Sequence, residues 1–203
     1  MTPRPILLAA LLAASAPAAI AYAQASDPAA SRIETFNGAL LDVMKQAKSL
    51  GVEGRYRKLE PVVEASFDLP TMTRFAVGPK WASLSPADQA ALVKAFTRLT
   101  VANYAKNFDG YGGEKFTIDA QVDTRGPDKL VRSHLIQSND KPIDLTYRMR
   151  QASDGRWKII DVYYNGSISE LAARRSDFAS SIAQSPQVLL QKIDAQSNKL
   201  MRG

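Results

Sequence analysis

The chain has no cysteine and only one histidine among its 203 residues. No disulfide can form, and no lipid can be attached through a lipoprotein cysteine. With a single histidine and no thiol there is no metal-ligand spacing, and no Ser/His/Asp set is readily assembled. "GYGG" at 110–113 lacks the preceding strand and the closing Lys and Ser/Thr of a phosphate loop. Long apolar runs are equally scarce. The one that stands out, "ILLAALLAASAPAAIA", lies near the start behind Arg4, and "AYAQA" follows it with small residues at A-x-A spacing. It is short for a spanning helix, which takes about 20 apolar residues. The pattern predicts a cleaved secretory signal over residues 1–25, cut after Ala23 or Ala25. An uncleaved anchor is the alternative. The formal net charge of +6 suits contact with anionic membranes or acidic partners, and is also common among soluble domains.

What is present reads as one domain over 31–203, behind a flexible tether at 26–30. Ser31 and Glu34 have capping-box spacing, and Ile33, Phe36, Leu40, Val43, Met44 and Ala47 form a helical stripe that Gly51 ends. A second helix is expected over Tyr56 to Ala65, bent or split by Pro61, and a short one between Pro70 and Gly78. Ser85, Pro86 and Asp88 mark a strong helix start ahead of Leu92, Phe96, Leu99 and Tyr104. After Gly113 the period changes to two. "FTIDAQV", "KLVRSHLIQS", "PIDLTYRMR" and "RWKIIDVYY" read as four strands. In the third, Ile143, Leu145, Tyr147 and Met149 oppose Asp144, Thr146, Arg148 and Arg150. Two helices close the chain, Ser167 to Ala183 and Pro186 to about Leu200. The fold class is α+β: an antiparallel four-stranded meander flanked by N-terminal and C-terminal helices.

Few residues offer chemistry. His134, with Leu130 and Ile136 on its side of a strand, reads as structural. Asp161, between Ile160 and Val162, reads either as a general base or as an acceptor for a helix start or an arginine. The acceptor is preferred, because base catalysis needs a second placed group. Ser167 and Glu170 suggest a second capping box. On the helix behind them Leu171, Phe178 and Ile182 form an apolar stripe, with Arg174 and Arg175 beside it.

Two ordered blocks carry a resemblance. The first is Phe67-Asp68, Met72, Arg74, Gly78, Trp81, Ser85-Pro86, Gln89 and Ala95-Phe96. The second is Trp157, Lys158, Ile159, Asp161, Val162, Gly166, Arg175, Ser176 and Phe178. Together they resemble the periplasmic lipid-carrier family typified by MlaC, also called the toluene-tolerance family. "NGSISELAARRSDF", with one residue more before Phe178 than the phospholipid branch, is more similar to the hopanoid-associated branch, HpnM.

The resemblance implies a fold enclosing an apolar cavity, and no catalyst or cofactor. Its cargo would be a phospholipid or hopanoid. Its partners would be an inner-membrane transporter complex and an outer-membrane lipoprotein complex, with no nucleic acid. The lipid-binding set would be Phe75, Phe96, Leu99, Ile118, Val131, Leu135, Ile143, Leu145, Tyr147, Val162, Tyr164, Leu171 and Phe178. Arg174 and Arg175 are headgroup candidates at a cavity mouth; a salt bridge to Asp161 or Asp177, or snorkelling, is the alternative. Moving a lipid with about 30 methylenes through water costs roughly 24 kcal/mol, at about 0.8 per methylene. That is why a carrier needs a deep apolar site. Two other classes remain open: an enzyme acting on an apolar substrate with Asp161 and His134 as its polar pair, and an envelope adaptor that holds no lipid.

Overall fold

A computed structural model describes residues 27–137 and 141–202. The expected signal segment lies outside the described residues. Helix α1 spans Pro28–Lys45 and α2 spans Ala47–Ser66. Helix α3 spans Leu69–Val77 and runs into a 3₁₀ turn at Gly78–Ser83, and α4 spans Pro86–Asn107. Strands β1 (Lys115–Ile118), β2 (Asp123–Arg125), β3 (Asp128–Ile136), β4 (Ile143–Gln151), β5 (Trp157–Tyr164) and β6 (Ile168–Ser169) follow. Helices α5 (Glu170–Gln184) and α6 (Pro186–Met201) close the chain. No helix among the described residues is long and apolar enough to cross a membrane.

The α+β class holds, with two strands more than expected. The order is β1-β3-β4-β5-β6, and β2 also pairs with β3, all antiparallel. "FTIDAQV" is not one strand. It breaks after Ile118, and residues 123–125 pair with β3 separately. Of the tether expected over 26–30, the residues from Pro28 on are helix instead. The Asp27 side chain accepts from the Ala29 amide at 2.8 Å and Pro28 stands at the first helical position. Asp27 is further held by Lys129 of β3 at 2.5 Å. Ser31 and Glu34 therefore fall inside α1 and are not its cap. The expected stripe is buried throughout, from Ile33 to Ala47.

The first helix stops at Lys45 rather than Gly51. Gly51 is a kink within α2, at φ 59°, while Pro61 is carried inside the helix without splitting it. Ser85 accepts from the Asp88 amide at 3.1 Å, as its spacing predicts. Asp68 caps α3 by accepting from Thr71 N–H at 3.0 Å, and its own amide donates to Ile159 O at 2.9 Å, which joins helix layer to sheet. Buried Arg55 donates to Ala105 O at 2.7 Å and Ala47 O at 3.1 Å, tying α2 to α4.

The helices pack on one face of the sheet. Val131, Ser133, Tyr147, Met149 and Ile159 point into that layer and are sealed from solvent. The other face is charged. Arg148 and Arg150 bind Asp128, Arg132 binds Asp123, and His134 lies between Asp144 at 2.7 Å and Asp119 at 3.0 Å.

Candidate functional site

At one end of the inner layer the side chains stop short of one another. A pocket of about 580 Å³ opens between α4 and the sheet. Helix α4 presents Phe96, Thr100, Asn103, Tyr104 and Asn107, one face at helical spacing. The sheet supplies Leu135, Ile143, Leu145, Tyr147, Val162 and Tyr164; registry sets Leu145 opposite Tyr164 and Tyr147 opposite Val162. Met44 and Met72 come from α1 and α3, and Glu170, Leu171 and Arg174 from α5. The α4–β1 loop, from Phe108 to Glu114, forms part of the mouth.

The inner wall is a network of aromatic rings. Tyr104 stands edge-on to Phe36 at 5.3 Å and to Phe67 at 5.7 Å, and stacks on Phe108 at 5.7 Å. Burial, with Tyr147 and Glu170 adding, pushes the Tyr104 hydroxyl well above the usual phenol range, and burial raises Tyr147 likewise. Both stay neutral. Tyr147 donates to Asn37 Oδ1 at 3.4 Å, and Asn37 donates to Ser133 at 2.9 Å. The polar groups of Tyr147, Asn37 and Ser133 are thereby joined within the protein.

The two arginines of α5 part company. Arg174 is half-buried in the pocket wall, and among the described residues no carboxylate or carbonyl lies within hydrogen-bonding reach of it. Arg175 is exposed and lies over Gly78. Its guanidinium is 3.2–3.4 Å from where a Cβ on that residue would stand, and Gly78 holds φ +75°. Arg175 is therefore not at the pocket.

Other expected positions also lie elsewhere. Leu99, Val131 and Phe178 are sealed core, because a neighbouring element fills the space before each of them. Phe178 meets Phe96 edge-on at 6.3 Å. Phe75 is half-buried, with the Arg74 guanidinium 5.1 Å above its ring. Ile118 lines a separate depression of about 1080 Å³ between α1 and β1, bordered by Asp27, Glu34 and Asp119. Sequence reasoning did not place Met44, Met72, Thr100 and Asn103 at the site, although Met44 stands on the first helical stripe and Met72 in the first motif block. The 96/100/103/104 spacing on α4 was the available signal for two of them.

Asp161 and His134 are not brought together as a catalytic pair. Asp161 accepts from Ser169 Oγ at 2.6 Å and from Leu171 N–H at 3.1 Å, so it fixes the start of α5. The cap of α5 is Ser169, which accepts from the Ala172 amide at 2.9 Å, and not the expected Ser167. Neither Asp161 nor His134 lines the pocket.

The motif residues have visible work. Met72 and Phe96 line the pocket, and Gly78 carries the turn after α3. Gln89 donates to Trp81 O at 3.0 Å. Lys158 donates to Glu64 O and Ala65 O at the end of α2, at 3.0 and 2.6 Å.

Comparison with known proteins agrees with this architecture. A search of curated proteins finds no match to the chain. Among solved structures it resembles a phospholipid-binding protein from Ralstonia solanacearum, solved in complex with a phospholipid. The TM-score is 0.74 at 20% identity, over 85% of this chain and 98% of that one. The family model described as MlaC protein matches residues 34–195, and the chain belongs to the MlaC family.

Proposed function

We infer that the chain is a periplasmic carrier that shields a lipid's tails in transit between the inner and outer membranes. The observation that carries this reading is the pocket, whose volume of about 580 Å³ falls within the roughly 300–1,000 Å³ usual for ligand sites. Its inner wall is apolar and aromatic, the Tyr147 and Thr100 hydroxyls are bonded within the protein, and its mouth is open. Such a space favours tails and gives a catalyst little to work with. The phospholipid held by the Ralstonia protein and the family match support the same class of cargo.

The lipid-binding residues are then Phe96, Leu135, Ile143, Leu145, Tyr147, Val162, Tyr164 and Leu171. Arg174 is the headgroup residue, because a half-buried guanidinium whose donors meet no hydrogen-bond acceptor among the described residues, with Asp177 near it only electrostatically, can offer paired donors to a phosphate. The finer identity is a phospholipid or, as "NGSISELAARRSDF" favours, a hopanoid. The carrier would be the soluble component of an envelope transport system. It would load and unload at an inner-membrane transporter complex and an outer-membrane lipoprotein complex, after export and removal of residues 1–25.

The test is solvent extraction of the purified mature protein followed by lipid mass spectrometry. Extracted phospholipid or hopanoid in defined ratio to protein supports the carrier. Protein that stays empty after exposure to both lipids overturns it. Chemical turnover of the extracted lipid would favour the enzyme.

A further inference from the structure

Three large hydrophobic side chains are left exposed among the described residues: Tyr111 at 46%, Tyr164 at 39% and Ile168 at 55%. Tyr111 is distant in sequence from the other two, which face each other across one hairpin. Tyr111 and Tyr164 both line the pocket mouth. Ile168 is the direct partner of Tyr164 across the β5–β6 hairpin, and Leu145 is the partner of Tyr164 on its other side. Cross-strand partners share a face. Leu145, Tyr164 and Ile168 therefore form one row that runs from inside the pocket out past its rim.

We propose that this rim is a transient contact site for a lipid bilayer surface, which seats the mouth in the headgroup layer beside the complexes at which cargo is exchanged. The inference rests on the carrier reading. Tyr is suited to such a boundary, with an apolar ring and a polar tip. The charges around it fit as well. The Lys45 ammonium lies 5.8 Å from the Tyr111 ring centroid, and Arg174 stands in the wall, where both can meet phosphates. Asp109, Glu114 and Glu170 at the same mouth can meet amines. This mixed set matches a surface of mixed headgroups and keeps the contact weak enough to release. A stable protein interface takes about 800 Å² from each partner around a continuous apolar core. Three side chains spaced around an opening do not supply that.

The test uses the mature protein with vesicles of phosphatidylethanolamine and phosphatidylglycerol. Flotation reads the contact, and transfer of a fluorescent phospholipid between vesicles reads its consequence. Ile168 lies outside the pocket lining and is exposed. Ile168→Ser is expected to lower the vesicle-bound fraction about three- to tenfold and to slow transfer by a similar factor. Extracted lipid per mole and thermal stability stay at the wild-type level. Ile168→Trp is expected to raise the bound fraction. Wild-type protein that carries lipid but neither floats nor responds to these changes overturns the contact and leaves the carrier standing, the result expected if the rim meets an apolar protein instead. Flotation that responds to Ile168 in a protein with no extractable lipid supports the contact and removes the carrier.

Discussion

Along β4 the inward side chains pass from Met149, sealed in the core, through Tyr147, buried on the pocket's inner wall, to Leu145 and Ile143, which are half-buried and face the pocket. β4 alternates without a break along this length, although its pairing with β5 shifts register once, between Arg148 and Met149. What differs is the layer above it. Met149 lies opposite Ile159, within the cluster that also holds Phe36 and Phe67. Leu145 lies opposite Tyr164, and the space above both is the pocket. One periodic pattern thus builds a solid core at one end and a hollow at the other. Alternation fixes which side chains face inward; only the packing of α4 and α5 decides whether anything meets them.

The sharpest way to break this comparison is to truncate both ends. Met149→Ala removes atoms from a filled site and is expected to cost about 2–5 kcal/mol in urea unfolding. Ile143→Ala removes atoms already beside open space, and the loss should stay under about 1 kcal/mol. Equal losses would mean that the space above Ile143 is filled in solution.

A second pair compares the two faces at the hollow end. Leu145→Gln puts an amide among the tails, at about 1–3 kcal/mol for an unpaired polar group, so lipid affinity should fall roughly 5- to 150-fold. Thr146→Gln sits on the other face, between Arg132 and Tyr163, and should leave bound lipid unchanged. The measurement is extracted lipid per mole of folded protein. Loss in both variants would disprove the register, and loss in neither would place the tails elsewhere between the helices.

The same distinction explains what could be read from the sequence. The α1 stripe, the Ser85 start and the β4 alternation are local patterns, and the structure reproduces them. The start of α1 was settled by something that no local pattern shows. Asp27-Pro28 competes with Ser31 and Glu34 as a start signal, and its ion pair reaches Lys129 on β3, 102 residues on. The α5 cap is similar. The β5–β6 hairpin sets Ser169 opposite Tyr163 and delivers it to Asp161, a placement that depends on the fold of the turn. Leu99, Val131 and Phe178 show the limit most plainly, because a filled position and a hollow one look alike on an apolar stripe.

The smallest expected effects lie on the charged outer face, where two sites should respond to pH in opposite senses. For Asp128, burial alone would raise the carboxyl, but hydrogen bonds from Arg150 and Arg148 outweigh it and hold the group below the usual range. Its stabilisation is present above the unfolded value of about 3.9 and is lost as pH falls through the lower folded value. For His134 the hydrogen bond to Asp144, then that to Asp119, raises the imidazole. Its stabilisation is present below the unfolded value of about 6.5 and is lost as pH rises through the higher folded value. Asp144 and Asp119 are substantially exposed, so screening should keep the His134 effect at or below about 1 kcal/mol. Melting temperatures measured across the acid and neutral ranges read both sites. His134→Gln should flatten the decline on the neutral side and leave the acid limb intact, while Asp128→Asn should flatten the acid limb alone. A wild-type melting temperature that does not fall as pH rises from about 6 to about 9 would show that the two carboxylates do not hold His134 in solution.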